Sequence, residues 1–179
     1  MPITINGTGT ITGISAGGLP SATVTQATLA TPVAGTGPAF SAYLGTNQTV
    51  TSGAITKLQL NTEVFDTNNN FDSTTNYRFT PTVAGYYQFN YELYGSSGTS
   101  MSNITPAIYK NGAVYQYGVV LNGVYGNAAQ AACGSTLIYL NGSTDYVEFY
   151  GLITGTGACV FTAASGTVNY LTGSLVRSA

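Results

Sequence analysis

The stretch "VAGYYQFNYELYG", Val83–Gly95, alternates large rings with polar side chains at period two. Such alternation puts successive side chains on opposite faces of an extended strand. Tyr87, Phe89, Tyr91 and Leu93 share one face, which reads as a core face. Tyr86, Gln88, Asn90, Glu92 and Tyr94 share the other. That second face is too aromatic for a wet surface and too polar for a core. It requires a partner.

Composition sharpens this requirement. Charged residues make up 6% of the chain and hydrophobic residues 44%, with no His and no Trp. A typical soluble protein carries about 25% charge. A surface so poor in charge is weakly protected against self-association, so the chain is expected to live as a subunit or to hide much of its outer face. Its 179 residues suit one domain with a short appendage. Folding at that length hides roughly 70% of the extended-chain surface, enough for a full core.

The net charge of -2, without any cluster of Lys and Arg, argues against nucleic acid and against anionic membrane surfaces as partners. No apolar run approaches the roughly 18 residues of a membrane span. The opening "MPITINGTGT" has neither the basic region nor the apolar core of a secretory signal. The expectation is synthesis in a cytoplasm, with any exit by lysis or by a signal-independent route.

Strong helix formers are scarce, while β-branched and aromatic residues dominate. Short alternating runs end at Gly, Asn or Pro, the pattern of an all-β sandwich or barrel. Expected strands are Ala39–Leu44, Val50–Leu58, Gln59–Phe65, Tyr77–Thr80, Gly85–Tyr94, Ile104–Lys110, Ala113–Leu121, Ala129–Cys133, Ser135–Leu140, Asp145–Leu152, Cys159–Ala163 and Val168–Val176. Lys110–Gly112 reads as a hairpin turn, because Asn-Gly supplies positive φ readily. Asn141–Thr144 reads as a second turn of the same kind. Ala113–Leu121 and Ser135–Leu140 are apolar on both faces, whereas antiparallel sheets of monomers usually keep one face polar.

The first 35 residues differ. Gly7, Gly9, Gly13, Gly17 and Gly18 leave no independent core. The segment is either a flexible tail or ordered only against another chain, and Ile3, Ile5 and Ile11 favour the second reading. Leu29–Phe40, with Pro32 and Pro38, reads as a linker. The boundary falls between residues 1–37 and a domain at 38–179.

Sites for chemistry are few. Asp66, Asn68, Asn70 and Asp72 alternate in "DTNNNFD", like the opening of a calcium loop. The sixth position of that loop is Phe71 in place of Gly, and the twelfth is Tyr77 in place of Glu. A polar loop of Asx turns is the expected reading, with calcium the alternative. Without His the common triads are absent. The carboxylates are Glu63, Asp66, Asp72, Glu92, Asp145 and Glu148. Asp145 and Glu148, three apart on an expected strand, point to opposite faces, so no glycosidase pair forms there. No catalytic, metal or cofactor-binding residue is assigned. Cys133 and Cys159 are expected to be buried free thiols; the alternative is a bridge worth about 3 kcal/mol. Tyr-bearing stretches at Tyr94–Asn103 and "YGNAAQ" are candidate binding loops, set against a packing role for each Tyr.

The stretch from Leu60 to Tyr91 resembles the globular head of complement component one-q, a relative of the tumour necrosis factor jelly roll. Gly85, Tyr87, Phe89 and Tyr91 match that family's G-x-Y-x-F-x-[FY] ending. Phe79, Phe71 and Asp66 fit earlier aromatic and acidic positions. Leu60 replaces a Phe, and one extra residue lies between Phe71 and Phe79. "IYKNGAVY", "TLIYLNGSTDYVEF" and "LTGSLV", with Leu171, Gly173 and Leu175, extend the likeness over about residues 38–179. The resemblance implies an all-β, ten-stranded jelly-roll sandwich and a homotrimer with rings packed about the threefold axis.

The opening "GTGTITGISAGGLP" resembles the start of bacteriophage tail-fibre and appendage proteins. Together these resemblances imply a virion structural protein, not an enzyme. Residues 1–37 would attach it to baseplate, tail or major capsid protein, and the domain would project as a tail fibre or receptor-binding tip, reaching a host surface glycan. A capsid decoration, cement or head-fibre trimer is one alternative; a non-viral carbohydrate-binding module is another.

Overall fold

The computed structural model describes residues 37–125, 129–164 and 168–179. The attachment segment expected before residue 37 lies outside the described residues. Fourteen strands and no helix occur among the described residues. In chain order they are β1 (Ala39–Tyr43), β2 (Gln48–Val50), β3 (Thr56–Lys57), β4 (Thr62–Asp66), β5 (Phe71–Asp72), β6 (Arg78–Phe79) and β7 (Ala84–Ser96). Then follow β8 (Ser100–Lys110), β9 (Ala113–Tyr117), β10 (Leu121–Tyr125), β11 (Ala129–Asn141), β12 (Val147–Thr156), β13 (Cys159–Phe161) and β14 (Tyr170–Ser178). The count exceeds the expected ten because five of these, β2, β3, β5, β6 and β13, are pieces of only two or three residues.

Two antiparallel sheets form the sandwich. Sheet A runs β2-β13-β7-β14-β1-β4, and β11 pairs with the other edge of β7. Sheet B runs β10-β8-β12-β6-β5, with β9 added to β8 and β3 to β12. Strand β7 is central: β11 covers one edge from Ala84 to Ser96, while β14 and then β13 cover the other. An aromatic strand without Pro can sit there because its main-chain polar groups meet ladder partners on both edges, and the Asn169 side chain serves Tyr94 where β14 gives way to β13.

The core face of β7 is the one its alternation indicates. Tyr87, Phe89 and Leu93 are fully buried, and Tyr91 is 1% exposed. Burial of each such side chain is worth about 1.5–3 kcal/mol. Phe40 of β1 stacks on Phe79 at 4.4 Å and on Phe71 at 4.9 Å, and Phe89 packs edge-on to Phe79 at 6.0 Å. Leu60, Leu171 and Leu175 close the same core. Gly173 is required by that cluster, since a Cβ there would lie 2.6 Å from the Phe40 ring.

Several boundaries differ from the sequence expectation. Ala129–Cys133 and Ser135–Leu140 form one continuous strand, β11; Gly134 does not break it but makes room for the Tyr91 ring. Ala113–Leu121 is interrupted after Tyr117. Gly118 donates its N–H to Pro106 O at 2.8 Å, and Val119 donates to Cys133 O at 2.9 Å. Residues 118–120 thus bridge the β8 edge of sheet B to the β11 edge of sheet A. The Asn111–Gly112 turn is a hairpin with φ of 53° and 78°, as expected. Asn141–Thr144 is not a hairpin: it carries the chain from β11 in one sheet to β12 in the other. Asn141 Oδ1 there accepts from the N–H groups of Ser143, Thr144 and Asp145. The strand expected at Gln59–Phe65 begins only at Thr62, and that expected at Val50–Leu58 is broken by the turn at Gly53, which has positive φ, into the end of β2 and the short β3. Phe40 lies in β1, as the strand expected at Ala39–Leu44 has it, and is fully buried.

Candidate functional site

The outer face of sheet A follows from its register. Tyr86 of β7 lies opposite Tyr139 of β11, Gln88 opposite Leu137, Asn90 opposite Ser135 and Glu92 opposite Cys133. The Tyr86 and Tyr139 rings approach to 5.5 Å. With Val176 of β14 they leave an apolar surface open: Tyr86, Leu137, Tyr139 and Val176 are 43%, 49%, 41% and 47% exposed. These four and the C-terminal residues 177–179 frame a concavity of about 510 Å³. Along the seam between the sheets, Tyr115 donates its hydroxyl to Leu137 O at 3.3 Å, and Val119 stands half exposed. Contiguous apolar surface of this kind marks an interaction site more often than a free surface.

Of the four cations of the chain, Arg177 lines this concavity, and the other three are committed to partners. Lys110 donates to Tyr139 O at 2.8 Å and pairs with Asp145 at 3.0 Å. Lys57 pairs with Glu148 at 2.9 Å. The Arg78 guanidinium lies 4.3 Å from the centre of the Tyr146 ring. Asp145 and Glu148 do not form a pair with each other: Asp145 precedes β12, contrary to the expected strand start, Glu148 lies on it, and each has its own Lys partner. The Asn111 amide, followed by Lys110, holds the Asp145 carboxyl below its ordinary value.

The "DTNNNFD" carboxylates face their own main chain. Asp66 accepts from the N–H groups of Asn68 and Phe71 at 3.2 and 2.6 Å. Asp72 accepts from Thr74, Thr75 and Asn76 N–H at 3.0, 2.9 and 3.1 Å, and from the Asn76 amide at 2.7 Å. The Thr75 and Thr74 N–H groups are the main reason its carboxyl sits far below the usual range. Asn70 is nearly buried and turns Oδ1 to Thr82 N–H, away from Asp72. Asp66 and Asp72 therefore build Asx turns, Asn68 and Asn70 serve other partners, and the four side chains do not converge on one point. No group of three or more acidic or thiol side chains suited to a metal occurs among the described residues.

Cys159 is buried in the core as expected, whereas Cys133 is exposed on sheet A; both are free thiols. Cys133 follows the outward alternation of β11, which the split into two shorter strands obscured. Tyr94–Asn103 is mostly strand, with only the turn at residues 97–99 between β7 and β8. Of "YGNAAQ", residues 126–128 lie outside the described residues.

Sequence reading missed Asn169. It is fully buried at φ 53°, donates to Tyr94 O and Thr162 O, and accepts from Tyr94 N–H. It missed also the Tyr109–Tyr150 stack on sheet B, at 3.9 Å. Both depend on partners far along the chain and carry no local signal.

No protein-family model and no curated protein matches the chain. Solved structures do match. The globular domain of the zebrafish complement 1qA protein aligns with a TM-score of 0.52 and 15% identity, over 79% of this chain and 99% of that one. Eiger TNF from S. frugiperda aligns with a TM-score of 0.54 and 9% identity, over 79% and 92%. PRD1 vertex protein P5 aligns with a TM-score of 0.53 and 15% identity, over 79% and 74%. The two curled antiparallel sheets, their core and these likenesses agree: the chain has the complement one-q/tumour necrosis factor-like jelly-roll fold.

Proposed function

We propose that the protein is a homotrimeric structural component of a bacteriophage particle, acting as a tail fibre or receptor-binding tip. The observation that carries the reading is the open apolar face of Tyr86, Leu137, Tyr139 and Val176 on a chain with 6% charge. Three copies related by rotation can pack this face against the seam at Tyr115 and Val119 of the next copy. Contact between two different patches closes a ring without leaving either exposed. Obligate interfaces of this sort commonly bury about 2,000 Å² or more.

Direction along the fold supports the attachment role. Gly37 enters beside Leu175, Leu175 donates to Pro38 O, and Ala179 donates to Ala84 O. Entry and C-terminus therefore share the Ala84 end of β7. The Ser97–Thr99 turn lies at the other end, roughly 40 Å away at strand rise. A segment before residue 37 fixed to the particle would leave that far end outward. Catalysis has no part in the reading.

The structural likeness to PRD1 vertex protein P5 favours a second placement, a decoration or fibre trimer on the head. Sedimentation equilibrium of residues 38–179 tests the assembly: a trimer is expected, and Leu137→Arg should release single chains. A wild-type monomer at micromolar concentration overturns the reading. Labelled particles viewed by electron microscopy separate tail from head, and block of host adsorption by the purified trimer separates receptor tip from decoration.

A further inference from the structure

The outward face of β8 carries Asn103, Thr105 and Ala107, small side chains in the middle of sheet B. Ala107 lies between its cross-strand neighbours Tyr117 of β9 and Tyr150 of β12. Thr105 lies opposite Leu152. Taller side chains thus rise on both sides of a low strip. Tyr117 and Val120 form one wall, and Ile55 and Leu152 the other. The trough encloses about 410 Å³, within the range of about 300–1,000 Å³ usual for small-molecule sites.

Its chemistry is mixed in a particular way. The Tyr117 ring is 51% exposed and Val120 47%. Thr105 donates its hydroxyl to Asn103 Oδ1 at 3.0 Å, and the Asn103 amide in turn donates to Asn122 Oδ1. An Asn amide has two N–H donors and Asn122 takes one, while the Thr105 oxygen keeps acceptor capacity. Aromatic and aliphatic walls over a floor of hydroxyl and amide suit a sugar ring, whose C–H faces stack while its hydroxyls bond. No lining residue carries a charge. The nearest ions, Lys57 and Glu148, neutralise each other at 2.9 Å, so nothing there would attract an acidic sugar. The trough opens on sheet B, whereas the larger apolar face assigned to assembly lies on sheet A; Tyr115 and Val119, placed in the seam contact, adjoin its Tyr117–Val120 wall along the chain but do not line it.

We infer that this trough binds an uncharged glycan, with Tyr117 as the stacking platform and Thr105 and Asn103 as the hydroxyl-reading groups. The inference rests on the receptor-contacting reading and gives it a location and a ligand class. Three equivalent troughs on one trimer would turn weak single contacts into firm adhesion.

The test is binding of the intact protein to immobilised neutral manno-, gluco- and galacto-oligosaccharides, beside oligogalacturonate and oligosialic acid. At least one neutral series should bind and the acidic ones should not. Tyr117→Ala should weaken binding about tenfold, Tyr117→Phe should retain most of it, and both should melt like wild type. Binding to the acidic series alone, binding to none, or equal binding by Tyr117→Ala overturns the site. If the trimer forms and blocks host adsorption while Tyr117→Ala leaves that block intact, the site falls and the functional reading stands. If neutral glycan binds the trough but adsorption is never blocked, the site stands and the receptor role falls.

Discussion

The side chain of Asn169 grips the main chain of Tyr94 on both its polar groups, accepting from N–H at 2.8 Å and donating to C=O at 2.6 Å. Its second amide hydrogen goes to Thr162 O at 2.8 Å, and its own carbonyl accepts from Leu44 N–H at 3.0 Å. One buried residue thereby ties together β7, the end of β13 and the chain leaving β1. Asn also tolerates the left-handed φ of 53° found here. Asn169→Ala strands buried polar groups and adds backbone strain, so a loss of about 3 kcal/mol or more is expected. Urea unfolding, with the slope compared between variants, measures it.

Tyr91 presents the opposite case. Its hydroxyl is buried without a hydrogen-bond partner among the described residues, against Gly134, where an added Cβ would lie 2.5 Å from the ring and the oxygen. Burial pushes its ionisation upward. Tyr91→Phe removes an unpaired polar atom, and a gain of about 1 kcal/mol is expected. Gly134→Ala should destabilise wild type more than it destabilises Tyr91→Phe, because the clash loses one of its atoms. Thermal melting of the four chains in a double-mutant cycle reads the difference.

Alkali should unfold the protein cooperatively. Burial pushes the Tyr87 hydroxyl up to about 12, and it also raises Tyr91, Tyr109, Tyr150 and Tyr170. A tyrosine held protonated in the fold stabilises it fully below the unfolded value of 10.0, and that stability is lost as pH rises through the folded value. Tyrosinate absorbance should therefore lag behind free tyrosine and then rise with the loss of β-sheet circular dichroism. Tyr87→Phe, which lacks the hydroxyl donated to Val83 O at 2.7 Å, should flatten this limb.

Acid should loosen the loop between β5 and β6. The Asp72 carboxyl is held below its ordinary value by Thr75 and Thr74 N–H, and Asp145 by Asn111 and then Lys110. Their contribution is present above the unfolded value of about 3.9 and is lost as pH falls below it. Asp72→Asn should lower the melting temperature near neutrality and reduce its further fall on acidification. An unchanged acid limb in that variant would show that Asp72 bears none of this dependence.

Much of the fold is legible in local pattern. Period-two alternation marks Tyr87, Phe89, Tyr91 and Leu93 as core, and the structure buries all four. The Asn111–Gly112 hairpin follows from two adjacent residues that accept positive φ. The Asp66 and Asp72 turns are likewise local, since each carboxylate caps N–H groups within five residues. Low charge and two-sided apolar strands already required a partner surface. In each case the determining interactions lie within a few residues, so the sequence alone could specify them.

Tertiary structure decided the rest, because it depends on which distant strands become neighbours. Whether Gly134 ends a strand or admits a ring depends on Tyr91 across the sheet. Asn169 acquires its role from Tyr94, 75 residues away. The open face joins Tyr86 to Tyr139 and Val176, and the trough joins Ile55 to Tyr117 and Leu152. Side-chain period tells a strand which way each residue points; only long-range pairing, selected by packing of the whole core, tells it what lies there.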